Sequence, residues 1–333
     1  MKRGRVITTE DALSVLALIV FLALPLGADD YALGEYAKFF AYGLLAASLA
    51  FVWGHCGLLC LGQAVFFGIG GYAMSIVTLG KIPGAPTLLS SWLGLVLAVA
   101  VPALFANLLG RFLFYGQGLR GAFFGIVTLA VAVIAERLAV NWPYLGGLNG
   151  LMNVPPPNLG LNAGGHEIFE PLELYFTMLG LAALGVLLLS ALARSRYGVA
   201  LKALRDNETR AQFLGFDTAA YKTTAFSIGA GIAGLAGALF VTQFGFASPK
   251  LIGFGLSAEA LIWVAVGGRA VLIAAFLGAF AVRSVEGILS EALGAYWLLA
   301  LGVLFILTVL VFPRGLIGEI VHQIDRRRGV DTA

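Results

Sequence analysis

The sequence predicts an all-α, polytopic membrane protein of about ten transmembrane helices, some of them broken, with a cytoplasmic hairpin of two short helices. Three observations predict it. Hydrophobic residues make up 60% of the 333-residue chain and charged residues only 12%, about half the charge of an ordinary soluble domain. The mean hydropathy is +0.94. Apolar runs recur along almost the whole chain, and one charged, helically patterned stretch at 194–221 interrupts them. This composition predicts a single transmembrane domain over 1–333, with no room for a large soluble one.

The apolar runs lie at 12–26, 31–53, 58–79, 92–115, 121–140, 172–193, 222–246, 254–267, 271–289 and 296–312. The chain opens Met-Lys-Arg-Gly-Arg and lacks a clean small-residue cleavage site, so the first run reads as a span. With the N-terminus inside, the cytoplasmic side receives Lys2, Arg3, Arg5, Arg111, Arg120, Arg194, Arg196, Lys202, Arg205, Arg210, Lys222, Arg269, Arg314, Arg326, Arg327 and Arg328. That is 16 of 21 lysines and arginines, as positive-inside orientation demands. Fusing the short eighth run with the ninth would send Arg326, Arg327 and Arg328 outside, so ten spans with both termini in the cytoplasm are expected. The net charge of +3 says little about partners, and nothing points to nucleic acid. The longest outer loop, 141–171, carries Trp142-Pro143, Gly146-Gly147, Asn149-Gly150 and three prolines from Pro155. It is ordered by turns rather than by a core. It reads equally as a cover over a pore mouth or as a plain connection.

Between the sixth and seventh runs the chain reads RSRYGVALKALRDNETRAQFLGFDTAAYK. Its charges require water, while Val199, Leu201, Leu204, Ala211, Phe213 and Leu214 give it apolar edges. The pattern predicts one helix over 198–204, a break at Asp206-Asn207, and a second helix over 208–214 stopped by Gly215 as a left-handed C-cap. This reads as a docking knob for a soluble partner rather than a substrate site, with an ordinary charged loop obeying membrane topology as the rival reading. Leu204, Phe213 and Leu214 would form its apolar edge, with Arg205, Asp206, Asn207 and Glu208 around the rim.

Two glycine-rich breaks carry polar residues at membrane depth. From Gly54 the chain reads GHCGLLCLGQAVFFGIGGY. Gln63 there is costly unless it meets water, a substrate or a partner, and interrupted helices are one way transporters build a site. Tight packing of small residues explains the same glycines equally well. Phe66, Phe67, Phe124 and Thr128 are candidates to line a pathway, although aromatics in spans more often pack. In the second break, LIWVAVGGR, Glu259 precedes Trp263 by about one helical turn and is the second polar candidate. Its rival explanation is a pair with another span. Arg283 and Glu286 are spaced to satisfy each other on one helix.

No catalytic pattern is present. His55, His166 and His322 are far apart, Cys56 and Cys60 read as buried thiols, and no metal spacing or phosphate-binding loop occurs. No cofactor is expected.

These stretches together resemble the membrane permeases of branched-chain amino acid and urea importers of the ATP-binding cassette class. The resemblance covers almost the full length. It rests on GLLCLGQAVFFGIGGYAMS, the knob, AGIAGLAGALF after it, VAVGGR, and the closing FPRGLIG. Cys60 stands where the family usually has serine. ETRAQFLGFD, LIWVAVGGR and GGLNGL look like the urea-type branch, although Ala270 replaces that branch's usual glycine. The resemblance implies a permease of the bacterial inner membrane that moves urea or a short amide, with branched-chain amino acids as the alternative. It makes the knob the element that couples to the ATPase. It implies a second homologous permease, two ATPase subunits that bind the ATP, and a periplasmic binding protein. A passive urea or water channel would not need the knob, and a membrane enzyme would need paired acids and bases in facing spans.

Overall fold

The computed structural model describes residues 9–84, 90–115, 121–158, 167–312 and 315–327. The terminal charges Lys2, Arg3, Arg5 and Arg328, together with Arg120, Arg314, His166 and loop positions 159–166, lie outside them. In chain order the helices begin α1 (Thr9–Ala23), α2 (Asp30–Ala50), α3 (Gln63–Thr78), α4 (Ser91–Phe114) and α5 (Ala122–Asn141). Strand β1 (Leu151–Met152) follows, then α6 (Pro171–Arg194), α7 (Arg196–Asp206), α8 (Glu208–Phe213) and α9 (Thr218–Phe244). Strand β2 (Phe246–Ala247) precedes α10 (Phe254–Gly267), α11 (Leu272–Leu293), α12 (Trp297–Val311) and α13 (Leu316–Arg327).

Two helices form the centre. The apolar windows of α2 and α9 are each 89% buried, whereas those of α1, α4, α5 and α6 range from 17% to 39% and face outward. Helix α9 packs on α3, α4 and α2, and α2 also packs on α6, α10 and α11. Small residues permit this closeness. A Cβ on Gly237 would lie 1.8 Å from the Phe67 carbonyl oxygen, and one on Gly70 2.2 Å from that of Gly234. In a membrane, where no hydrophobic force drives helix to helix, such backbone approach supplies the dispersion contacts. The AGIAGLAGALF run is therefore the packing face of the central helix. Both helices also carry side-chain caps: Asp29 accepts from Ala32 N at 3.1 Å and Asp217 from Ala220 N at 3.0 Å.

Six helices among the described residues are long and apolar enough to cross a membrane, or seven if α10 and α11, bent by 115°, form one span. The tenfold count expected from apolar runs is not reached by that measure. The reason is physical. Helices α3 and α12, of 16 and 15 residues, and α10, of 14, are shorter than the ~20 residues a full crossing needs. Apolar sequence marks burial in protein as readily as burial in lipid. The loop after α5 is turn-built as expected, with 3-10 turns at Pro143–Leu145 and Gly147–Asn149. It is also pinned, because β1 pairs antiparallel with β2, the strand just after α9.

Candidate functional site

The knob forms as two capped helices. Ser195 opens α7, its Oγ accepting from Gly198 N at 3.4 Å. Asn207 breaks the chain in an extended conformation and caps α8, its Oδ1 accepting from Arg210 N at 2.9 Å. Gly215 has φ +87°, the left-handed stop expected there.

The inner side of the knob grips the ends of both central helices. A π-turn, Phe51–His55, extends α2, and Arg205 Nη1 donates to the Gly54 carbonyl in it at 2.6 Å. A guanidinium there also suits the negative end of the α2 dipole. Glu208 Oε1 meets Lys222 Nζ, in the first turns of α9, at 2.6 Å. The lysine is buried and lies 5.7 Å from the Phe114 ring centroid. Tyr197 stacks on Tyr221 at 5.3 Å and donates to its carbonyl, and burial raises the pKa of the Tyr197 phenol. On the outer side, Phe213 is 87% and Leu214 71% exposed.

This arrangement corrects two sequence expectations. Leu204 is only 2% exposed, because α7 turns it toward the bundle, and so it is no part of the outer edge. Glu208 is held by Lys222 rather than standing on a rim. Arg205 does both jobs: it also pairs with Asp206 at 3.0 Å. Between the knob, the α2 end, the α10–α11 turn and α13 lies a cavity of about 670 Å³, lined among others by Trp53, Lys202, Arg205, Arg269 and Asp325.

The first break, 56–62, runs through protein rather than lipid, as irregular backbone at depth must. Thr128 Oγ1 on α5 accepts from Leu61 N at 3.1 Å, and Ser257 Oγ on α10 accepts from Ala64 N at 3.0 Å. Gln63 is fully buried, its Nε2 donating to Ser48 Oγ at 3.1 Å and to the Gly229 carbonyl at 3.4 Å. It ties α3 to α2 and α9. Phe66, Phe67 and Phe124 are likewise buried, with Phe66 and Phe124 both against Phe226. These candidates sit in the packed core. The free thiols Cys56 and Cys60 are buried there too.

Glu259 has a different setting. Its Oε2 lies 3.5 Å from Arg283 Nη1, and the same nitrogen contacts Glu286 Oε2. The Arg283 guanidinium lies 4.4 Å over the Tyr42 ring and 6.0 Å from that of Trp263. The expected Arg283–Glu286 pair is present, and Glu259 joins it across helices. The structure thus gathers Glu259 and Trp263 with two charges assigned to each other from spacing, and with Tyr42, which the sequence did not single out. Its only signal was a phenol in the middle of an apolar run.

Comparison with known proteins adds a family. The family model described as branched-chain amino acid transport system, permease component, matches residues 32–312. The chain is 32% identical to the high-affinity branched-chain amino acid transport system permease protein LivM of Salmonella typhimurium, over 97% of this chain and 78% of that protein. It is 33% identical to LivM of Escherichia coli, over 86% and 70% respectively. A more partial likeness, 34% identity over 46% of each chain, is to the autoinducer 2 import system permease protein LsrC of Salmonella paratyphi B. No solved structure matches.

Proposed function

The chain belongs to the permease components of branched-chain amino acid transport systems, and we propose that it is the membrane half of an ATP-driven importer for a branched-chain amino acid. The observation that carries the reading is the knob: an exposed Phe213–Leu214 edge on a base fastened to both central helices. A soluble ATPase can move membrane helices only by pushing something rigid that projects from them. Here a push on α8 reaches α9 through Glu208–Lys222, and a push on α7 reaches α2 through Arg205–Gly54. The knob end is then cytoplasmic, as its positive charge favours. The partners are two ATPase subunits, a second homologous permease and a periplasmic binding protein, in a bacterial inner membrane.

The urea-type reading gives way. It rested on three short stretches, whereas the two relatives matched over most of both chains are named for branched-chain amino acids. The test is reconstitution of the permease pair with its ATPases and binding protein in liposomes. Leucine should stimulate ATP hydrolysis and enter the vesicles. Stimulation by urea and not by leucine, isoleucine or valine would reverse the substrate assignment.

A further inference from the structure

Tyr42 lies 12 residues after Asp30 and 13 before His55, the ends of the α2 span. At 1.5 Å per residue it is about 18–20 Å from either end, at half-depth. Arg283, 4.4 Å above its ring, is at half-depth with it. One guanidinium and two carboxylates there carry a formal charge of −1, and none is sealed off: Arg283, Glu259 and Glu286 side chains are 20%, 33% and 23% exposed. Hydrocarbon cannot solvate such groups, so their open side must face water or protein. Two donors at the cluster also have no hydrogen-bond partner, Arg283 Nε and the fully buried Trp263 Nε1.

We propose that Glu259, Arg283 and Trp263 form a mid-membrane station for the zwitterionic head of an amino acid, on a water-filled pathway along the α10–α11 face. The inference rests on the importer reading above. The substrate carboxylate goes to the exposed part of the Arg283 guanidinium; Arg283 Nε and Trp263 Nε1, enclosed in this conformation, come within reach only when the α10–α11 face opens during transport. The substrate ammonium goes to Glu259, which is the looser of the two acids, at 3.5 Å from Arg283 and on another helix. Glu286 stays with Arg283 and keeps the guanidinium in place. The zwitterion adds no net charge; its advantage is that its ammonium meets a carboxylate and its carboxylate a guanidinium, two charge-assisted pairs. A neutral amide such as urea makes neither pair, so the station favours a zwitterion over an amide.

The test uses the whole reconstituted importer. Glu259→Gln should lower leucine uptake per ATP hydrolysed by about tenfold, the worth of one charge-assisted hydrogen bond, and Glu259→Asp should restore part of it. A second variant keeps all three charges in place: Gly255→Cys, one turn before Glu259 on α10 with open space at its Cβ position, in a Cys56→Ala, Cys60→Ala background. A small, cationic, water-soluble thiol reagent should label it, and leucine should slow the labelling while urea and 4-methylpentanoate, which lacks the ammonium, do not. Labelling only by a lipid-soluble maleimide would place the face in lipid and overturn the station. Normal uptake per ATP in Glu259→Gln, or labelling that leucine leaves unchanged, would reduce the cluster to a structural ion network. A wild-type importer that neither hydrolyses ATP in response to leucine nor takes it up would sink the importer reading instead.

Discussion

The molecule holds two acid–base sites that look alike in sequence and differ in construction. Lys222–Glu208 joins the knob to α9 and is closed: the lysine side chain is 7% exposed, the pair spans 2.6 Å, and an aromatic ring covers it. The cluster of Arg283 with Glu259 and Glu286 is open: its three side chains are 20–33% exposed, and it carries one carboxylate more than its cation balances. A closed pair cannot take a ligand without breaking itself, and in the proposed importer it transmits force. An open cluster at half-depth is costly unless something visits it.

The largest effect should come from breaking the closed pair. Lys222→Met removes the cation that Glu208 meets in a buried setting, at a cost of about 3 kcal/mol. Thermal unfolding in detergent should show a clear loss of stability, largely recovered in Lys222→Met with Glu208→Leu. Glu259→Gln, in the open cluster, should shift stability by less than about 1 kcal/mol. Equal losses in the two variants would erase the distinction between the sites.

Next comes the outer edge of the knob. Leu214→Asp places a charge in the centre of the proposed ATPase contact, where single truncations cost about 2 kcal/mol or more. ATP hydrolysis stimulated by binding protein and leucine should fall to background while the permease still inserts. Gly215→Val should act in the same direction by straining the left-handed stop, by about 1–2 kcal/mol. Full stimulation by inserted Leu214→Asp would make the knob an ordinary loop. Arg205→Ala should do less. It gives up the hydrogen bond to Gly54, and because the side chain is 37% exposed water replaces part of it. The loss should appear as leucine carried per ATP rather than as ATPase binding.

Much of the knob was legible because its signals are local. Asn207, Gly215 and the charge pattern each act within one or two turns of themselves, so both helices and their break follow from the chain alone. The face that Leu204 presents did not follow, since both sides of α7 carry apolar residues and only packing decides between them. The count of ten spans is not confirmed for a related reason: α3 and α10, of 16 and 14 residues, are too short to be counted as spans by themselves, and an apolar run does not report helix length. The open cluster was half-legible. Glu259 and Trp263 stood out as polarity at depth, but the meeting of Arg283 with Glu259 and with Tyr42, far away on α2, is a product of tertiary packing.

The smallest effect should be at Gln63, and it decides where the substrate route lies. The break before α3 was the first place to look for it, since glycines and an amide at depth are how broken helices make sites. In the fold that amide is enclosed, and its donor is spent on Ser48 and Gly229. Ser48 does not depend on it, because its own hydroxyl donates to the Leu45 carbonyl at 2.6 Å. The Gln63 Oε1 has no partner, so replacement by an apolar side chain of similar size removes an unsatisfied acceptor as well as a donor. The two terms nearly cancel, and Gln63→Leu should alter stability by about 1 kcal/mol or less. Leucine uptake should stay near normal, in contrast to the loss expected for Glu259→Gln. If Gln63→Leu assembles, hydrolyses ATP and yet fails to transport, the route passes the first break and the open cluster is not its mid-membrane station.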